Sequence, residues 1–248
     1  MIQVEQIGFS YPDGNTVIKG LNFNIKKGES VGIIGANGAG KSTLLMLLMG
    51  ILSPEKGQIL VEGHVVEKKN LPLIRQKLGF VFQNPEDQLF MTTVYEDVAF
   101  GPRNYKMSEE EVESRVVEAL TSLGALHLKT RTSFRLSGGE KRSAAIAAVI
   151  AMKPEVLIMD EPTAALDPKA RRRLINWLQS YEQTKIITSH DLDMIYETCD
   201  RVLILKDGQL LEDGSKESIL TNAPLLDQCG LELPLSLQGC LHCGNAKA

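Results

Sequence analysis

Two kinds of hydrophobic pattern follow one another along this chain. Residues 2–7 alternate apolar and polar side chains, which predicts a strand. Short apolar runs bounded by glycine, proline or polar residues predict further strands at 16–25, 31–34, 58–61, 78–82, 156–159, 185–188 and 201–205. From about residue 86 to residue 152 the pattern is helical instead. The alternation of strands and helices on either side predicts an α/β fold with a helical insertion.

The predicted insertion carries its own helix signals. Ser108 and Glu111 form a capping-box pattern, and apolar residues follow on one helical face at 112, 116, 120 and 123. A second helix is predicted to begin at Ser137 and to run to Ile150. A further helix, over residues 43–49, follows the strand at 31–34.

Composition narrows the possible functions. Of the 248 residues 43% are hydrophobic and 23% are charged, and the net charge of −4 gives no general sign of nucleic-acid binding. No apolar run reaches the roughly 18 residues that a membrane span needs. The first residues show no secretion signal. We therefore expect a soluble, cytoplasmic protein whose membrane role, if any, depends on a partner.

A glycine-rich segment between the strand at 31–34 and the following helix carries the strongest chemical signal. It fits the pattern of a phosphate-binding loop, in which glycines turn backbone N–H groups towards a polyphosphate at a helix N-terminus. Lys41 supplies a charge to the terminal phosphates, and the Ser42 hydroxyl is suited to Mg²⁺. A mere glycine-rich turn is the alternative, but it would leave both residues unexplained. The segment comprises Gly35, Ala36, Asn37, Gly38, Ala39, Gly40, Lys41 and Ser42, followed by Thr43.

Two further segments have the chemistry of a nucleotide site. The apolar strand at 156–159 ends in Asp160 and Glu161, where one carboxylate can help to hold Mg²⁺ and the next can polarise water. The alternative is a buried strand that merely ends in acidic residues. Ser137 is a good N-cap, and Gly138 and Gly139 leave N–H groups open for a second anion. A two-fold dimer would bring this second anion site to the loop of another chain.

The order of these motifs, completed by Ser189-His190-Asp191, resembles the nucleotide-binding subunits of ATP-binding cassette (ABC) transporters. The resemblance covers roughly residues 1–220 and leaves residues 221–248 as a tail. It implies a phosphate-loop (RecA-like) core with an N-terminal antiparallel β subdomain and an inserted α-helical subdomain. It also implies a head-to-tail dimer that holds two ATP molecules with Mg²⁺, each between the loop of one subunit and the signature segment of the other.

The resemblance assigns roles to single residues. Tyr11 would stack on adenine, although it could be only an aromatic residue at a strand edge. Glu161 would act as the catalytic base, with His190 and Gln83 completing the catalytic set. Asp167 would lie at the dimer interface, and it also fits a helix N-cap before Pro168. The implied Mg²⁺ ligands are Ser42, Gln83 and Asp160, and the implied ATP contacts are Tyr11, residues 35–43, Ser137, Gly138 and Gly139.

A narrower resemblance lies in residues 83–90 and 94–102, which are similar to the energy-coupling-factor branch of the family, the cobalt-type ATP-binding subunits. This branch implies a peripheral protein on the cytoplasmic face of the membrane. Its partners would be a second ATP-binding subunit, identical or related, a transmembrane coupling protein and a small membrane protein that captures a metal ion or a vitamin. Glu140 stands where glutamine is commoner, and Ser143-Ala144 departs from a more basic pattern.

Other functions remain as alternatives. The chain could serve another class of ABC transporter or a non-transport ABC ATPase of DNA repair or translation. The non-transport forms usually carry a long coiled coil or two cassettes, and this chain has neither. A phosphotransferase built on the same loop would not explain the signature segment or His190.

The four cysteines do not form a disulfide framework, and none precedes Cys199. Cys199 is predicted to pack inside the fold. In the tail, the ligand types and spacing allow a divalent metal site, whereas the alternative is a loose tail with reduced thiols. The tail residues concerned are Cys229, Cys240, His242 and Cys243.

Overall fold

The computed structural model describes residues 1–238 and divides into two compact units. The first unit comprises residues 1–71 and 185 onward, and the second comprises residues 72–184. The strands are β1 (Ile2–Ser10), β2 (Thr16–Ile25), β3 (Ser30–Ile34), β4 (Lys56–Val61), β5 (His64–Val65), β6 (Leu78–Val81), β7 (Val156–Asp160), β8 (Thr184–Thr188), β9 (Arg201–Lys206) and β10 (Gln209–Ser215). The α-helices are α1 (Lys41–Leu48), α2 (Leu71–Lys77), α3 (Val94–Asn104), α4 (Glu109–Ser122), α5 (Gly138–Ile150), α6 (Pro168–Ser180), α7 (Leu192–Thr198), α8 (Lys216–Leu220) and α9 (Ala223–Gln228).

An antiparallel sheet in the first unit has the strand order β2-β1-β4-β5, which confirms the expected N-terminal β subdomain. Buried side chains of β1 alternate up to Val4 and resume at Ile7, three positions further on. The pairing register slips at the same place, where Gln6 has a φ of 49°. This β-bulge breaks the alternation inside the predicted strand, and β1 continues beyond residue 7 to Ser10.

A second sheet in the first unit carries the predicted phosphate loop. Within this unit the strands of the sheet lie in the order β10-β9-β3-β8, and β3 runs parallel to both β8 and β9. Every residue of β3 and β8 is buried, as expected for parallel strands covered on both faces. A Cβ atom on Gly32 of β3 would lie 2.6 Å from Cγ2 of Ile195 on α7, so glycine allows this helix to pack closely.

The second unit combines a pair of parallel strands with a helical cluster. Strands β6 and β7 pair from Leu78 with Val156 to Val81 with Met159. Helices α3, α4 and α5 enclose a core to which α4 contributes the predicted face, including Val112, Val116 and Leu120. The core also contains Leu89, Val94, Val98, Ala99, Ala119, Ala125, Leu128, Leu136, Ala144, Ala145, Ala147 and Ala151. The expected helical insertion into an α/β fold is thereby confirmed.

Side-chain caps fix where these helices begin. Ser108 and Glu111 form the predicted capping box of α4, and Ser137 caps α5 as predicted. Thr93 forms a third capping box, with Glu96, at the start of α3. The sequence contains the signal for this third box, but we did not predict it.

The predicted domain boundary at residue 220 and the predicted insertion bounds, 86–152, stay predictions. Within the predicted tail, α9 is capped by the side chain of Asn222 and buries Leu226. Cys229, at the C-terminus of this helix, is also buried. This part of the tail is therefore folded rather than loose. Cys240, His242 and Cys243 lie outside the described residues.

A close approach at Gly79 yields a stability prediction. A Cβ atom there would lie 2.4 Å from Cγ1 of Val149 and 2.8 Å from Cγ of Pro154. We expect Gly79→Ala to lower the free energy of unfolding by about 1–3 kcal/mol, because the core would be overpacked. Urea unfolding followed by circular dichroism measures this change. Adding Val149→Ala relieves the closer contact and restores part of the stability, and an unchanged single variant would contradict the packing argument.

Candidate functional site

The phosphate loop joins the C-terminal end of β3 to the N-terminus of α1. Gly35 and Gly40 have φ angles of 152° and 101°, which side chains with a Cβ atom rarely adopt. A Cβ atom on Gly35 would also lie 2.2 Å from the carbonyl oxygen of Leu205. Gly40 is the N-cap of α1 and supplies no side-chain cap. The loop therefore needs glycine at both positions and leaves backbone N–H groups of α1 for an anion.

Lys41 turns back over this loop. The side chain is 7% exposed, and Nζ donates hydrogen bonds to the carbonyl oxygens of Gly35 at 2.8 Å and Ala36 at 3.2 Å. Nζ also lies 3.2 Å from Nε2 of His190. The structure thus brings together two predicted functional residues that are 149 positions apart in sequence.

A fixed turn positions His190 after β8. The Ser189 hydroxyl accepts a hydrogen bond from the backbone N–H of Asp191 at 3.0 Å, and Asp191 caps α7 through the N–H of Met194. Ser189 is fully buried, whereas His190 is exposed. The imidazole therefore projects from a rigid support beside the loop.

Tyr11 is the third predicted residue that the first unit brings to the loop. Its hydroxyl lies 3.2 Å from Oγ1 of Thr43, in the first turn of α1. Its ring packs edge to face on Phe9, with ring centroids 5.0 Å apart. An aromatic ring half-buried at this position has the chemistry to stack on a base, and that role stays a prediction.

Asp160 and Glu161 follow one another at the end of β7 in the second unit. Asp160 is 6% exposed, and Glu161 is half-buried. Glu161 has a φ of 46°, an unusual backbone conformation for a residue with a side chain. Such strain costs about 1–3 kcal/mol and occurs often at functional sites. The conformation turns the chain sharply directly after the acidic pair.

The signature segment lies at the start of α5. Ser137 accepts a hydrogen bond from the N–H of Glu140, whose carboxylate in turn accepts from the N–H of Ser137. A Cβ atom on Gly139 would lie 2.7 Å from Cβ of Ala170 and 3.8 Å from Oδ2 of Asp167. The absence of a side chain at Gly139 therefore allows the N-termini of α5 and α6 to lie side by side.

Asp167 is the predicted N-cap of α6. Its carboxylate accepts hydrogen bonds from the N–H groups of Ala170 at 3.0 Å and Lys169 at 2.9 Å. These bonds, the one from Ala170 first, hold the pKa of Asp167 below its ordinary value. The capping role is confirmed, and the role at a dimer interface stays a prediction.

Gln83 follows β6, and its side chain is exposed. It lines a cavity of about 500 Å³ that also contacts Gly138, Lys141 and Leu166. The second unit therefore brings Gln83 to the same cavity as the signature segment.

Arg142 is a residue of this region that we did not predict. It lies on α5 and is 2% exposed, and it donates hydrogen bonds to the carbonyl oxygens of Phe82 and Gln83. In the sequence it follows two charged residues, Glu140 and Lys141, which indicates a solvated helix start. Its burial is evident only from its contacts with residues some 60 positions earlier in the sequence.

The cysteines differ in what the structure shows. Cys199 is fully buried at the end of α7, as predicted, and burial raises the pKa of its thiol to about 12. Burial also raises the pKa of Cys229. No group of three or more His, Cys, Asp or Glu side chains that could hold a metal ion occurs within residues 1–238. Three of the four residues of the hypothetical tail site lie beyond this range, so the site stays a hypothesis.

Of the helices in residues 1–238, none is long and apolar enough to span a membrane.

Comparison with known proteins decides the family. The model of the ABC transporter family matches residues 18–164, more than half of the chain. The chain belongs to the ABC transporter family. The energy-coupling factor transporter ATP-binding protein EcfA of Methanothermobacter thermautotrophicus is 45% identical over 94% of this chain and 77% of its own length.

Solved structures agree with this assignment. The chain is similar to cbiO1 of Clostridium perfringens, part of the ABC transporter complex cbiONQ, with a TM-score of 0.82, 39% identity and coverage of 94% of this chain and 95% of that one. It is also similar to the ATP-binding cassette MJ0796 in a dimeric post-hydrolysis state bound to ADP and Pi, with a TM-score of 0.79, 28% identity and coverage of 87% and 99%. These findings confirm both resemblances and the ATPase activity that they imply.

The geometry around Lys41 predicts a binding defect. We expect Lys41→Ala to weaken ATP binding roughly tenfold to a hundredfold, because a charge-assisted hydrogen bond to phosphate is lost. Titration with a fluorescent ATP analogue measures the dissociation constant. Lys27→Ala, which removes an exposed lysine of the same unit, serves as the control. Equal affinities for the two variants would exclude Lys41 from phosphate binding.

Proposed function

We propose that this ABC ATPase powers an energy-coupling-factor importer by binding and hydrolysing ATP in a dimer that acts on a separate transmembrane coupling protein. The observation that carries the proposal is the position of Lys41, against the loop carbonyl oxygens and beside His190. The relatives EcfA and cbiO1 support the type of transporter.

Nucleotide binding starts from the groups of the first unit. Lys41 and the N–H groups of residues 35–43 bind the phosphates, and the exposed imidazole of His190 contacts the γ-phosphate. The ring of Tyr11 stacks on adenine. The hydrogen bond between Tyr11 and Thr43 supports this assignment, because it ties the aromatic residue to the helix that receives the phosphates.

The family implies Mg²⁺, and the available ligands fit it. Ser42, Gln83 and Asp160 offer a hydroxyl, an amide and a carboxylate oxygen, which are the hard ligands that this ion prefers. Asp160, at the end of β7, is 6% exposed, so its carboxylate is largely shielded from water. When bound, the ion would neutralise charge on the β- and γ-phosphates.

Glu161 is the proposed catalytic base. Its carboxylate takes a proton from the attacking water as oxygen forms a bond to the γ-phosphorus and the bond to ADP breaks. Gln83 and His190 hold the water and the terminal phosphate in line. The strained backbone at Glu161 supports this role, because the chain keeps an unfavourable conformation at that residue.

The signature segment acts on a second ATP molecule, held by another subunit. Ser137 and Gly138 are exposed at the start of α5, where N–H groups favour an anion. Asp167, at the neighbouring helix N-terminus, belongs to the same dimer interface. The dimeric cassette MJ0796, bound to ADP and Pi, supports this arrangement. Both an identical and a related second subunit are compatible with it.

An exposed aromatic pair in the second unit is the proposed contact with the membrane partner. Phe90 and Phe100 are 57% and 40% exposed, and their rings meet edge to face at 4.9 Å. They lie in the two segments that are similar to the energy-coupling-factor branch. A short helix of the coupling protein would dock on this aromatic patch and would hold the ATPase at the cytoplasmic face of the membrane.

The proposed cargo is a metal ion such as cobalt or nickel, or a vitamin, captured by a further membrane protein. The complex cbiONQ, which contains cbiO1, supports this branch. Another class of ABC transporter and a non-transport ABC ATPase are the competing functions. Identifying the membrane proteins that co-purify with the chain, and the cargo that they hold, would distinguish these three functions.

Glu161→Gln provides the test of catalysis. The variant keeps the shape of the side chain but loses the proton acceptor, so we expect ATP binding, a trapped dimer and turnover lower by about a hundredfold or more. Phosphate release and gel filtration with ATP measure both effects. The control is Glu155→Gln, which removes a carboxylate just before the opposite end of β7. Wild-type turnover in Glu161→Gln would refute the assignment.

The aromatic patch yields a separate prediction. We expect Phe90→Ser/Phe100→Ser to lose co-purification with the membrane partner while ATP binding stays unchanged, because only the docking surface is altered. Leu211→Ser, which changes an exposed apolar residue of the first unit, is the matched control. Retention of the partner by the double variant would place the membrane contact elsewhere.

A further inference from the structure

Arg142 makes two backbone contacts that the proposed chemistry does not use. From α5 its Nη1 and Nη2 donate hydrogen bonds of 2.7 Å and 2.6 Å to the carbonyl oxygens of Phe82 and Gln83, respectively. These carbonyl groups belong to the turn that follows β6. One planar guanidinium group therefore holds two consecutive peptide units, which a single-point ammonium group cannot do in the same geometry.

This arrangement has an energetic cost that packing alone does not require. Arg142 is 2% exposed, and burial lowers its pKa to about 10, although the nearby charge of Asp160 opposes this shift. Its Nε has no hydrogen-bond partner within residues 1–238. Residues 144–147 on the same helix are buried and apolar. Burial of this charge therefore carries a desolvation cost that an apolar side chain at position 142 would not have.

Two further contacts tie the same segment to α5. Nε2 of Gln88 donates a hydrogen bond of 2.6 Å to the carbonyl oxygen of Ala145. Lys141 forms an ion pair with Glu86. The ion pair is exposed on its acidic side and contributes little. Arg142 is the contact nearest to Gln83 and the one made directly to its backbone.

We propose that Arg142 is a positioning residue, which couples the signature helix α5 to the backbone at Phe82 and Gln83 and thereby sets the position of the Gln83 side chain. The inference rests on the proposed function of Gln83 and extends it. A shift of the signature helix, as it engages the ATP of a second subunit, is passed to Gln83 through two hydrogen bonds. Hydrolysis of the ATP bound by one subunit thus depends on whether the signature helix of that subunit contacts the ATP of the second subunit.

The physical part of this proposal is testable without any activity. We expect hydrogen exchange of the amides of residues 82–88 to be faster in Arg142→Met than in the wild type, while residues 144–147 keep their protection. Arg142→Lys should give an intermediate rate, because it keeps the charge but not the two-point contact. Arg115→Met is the matched control, since Arg115 also donates to a backbone carbonyl oxygen, that of Ala151. Unchanged exchange over residues 82–88 in Arg142→Met overturns the proposal.

The functional part needs a double-mutant cycle. We expect Arg142→Met to lower kcat roughly tenfold to a hundredfold with unchanged affinity for a fluorescent ATP analogue, because Gln83 is displaced while the phosphate loop is intact. If Arg142 acts through Gln83, Arg142→Met combined with Gln83→Ala is no slower than Gln83→Ala alone. Additive losses of kcat, or an equal loss of ATP affinity, indicate a merely structural role and overturn the proposal.

Different outcomes would contradict the role of Gln83 and the proposed function as a whole. Wild-type turnover in Gln83→Ala removes the assigned role of Gln83, and with it this inference, but leaves ATP hydrolysis by the chain intact. Absence of ATP hydrolysis in the wild-type dimer contradicts the proposed function itself. Thermal unfolding of each variant separates these outcomes from a loss of folding.

Discussion

The unsatisfied N–H groups at the start of an α-helix are the constraint on which the functional residues depend. Helices α3 to α9 each begin with a side chain that accepts a hydrogen bond from one of these groups. Helix α1 begins with Gly40 and has no such cap. Its N–H groups are therefore left for a ligand, and Lys41 adds a positive charge beside them. The proposed phosphate binding follows from a side-chain cap that is missing at α1 and present at α3 to α9.

The helix starts of the second unit use the same chemistry for a different purpose. Ser137 and Asp167 cap α5 and α6, and the small residues Gly139 and Ala170 allow the two helix starts to come close together. Positive helix ends that lie side by side favour an anion, and the carboxylate of Asp167 compensates for part of this field. The proposed dimer would bring such a surface to the phosphates of another subunit.

Local patterns predicted the parts of the molecule that depend on neighbouring residues. The phosphate loop and the caps of α4, α5 and α6 are encoded within a few positions, so the sequence was sufficient to find them. The strand predicted over residues 2–7 is present but continues to Ser10, past the bulge at Gln6 that shifts its alternation by one residue. Arg142 was missed for a different reason: its burial depends on a turn some 60 residues away, and no periodicity records such a contact. Whether residues 83, 160 and 161 act together depends on a bound nucleotide and a second subunit, which local patterns do not describe.

The hydrogen bonds from Arg142 do not depend on the side chains of Phe82 and Gln83. In these bonds Arg142 contacts only backbone carbonyl oxygens, and every amino acid at positions 82 and 83 would present these. Substitutions of these side chains can therefore change the surface of the segment while its connection to α5 is retained. Position 142 has no such freedom, since two parallel donors are needed there. In evolutionary terms, the surface of this segment can diversify while the internal linkage stays constant.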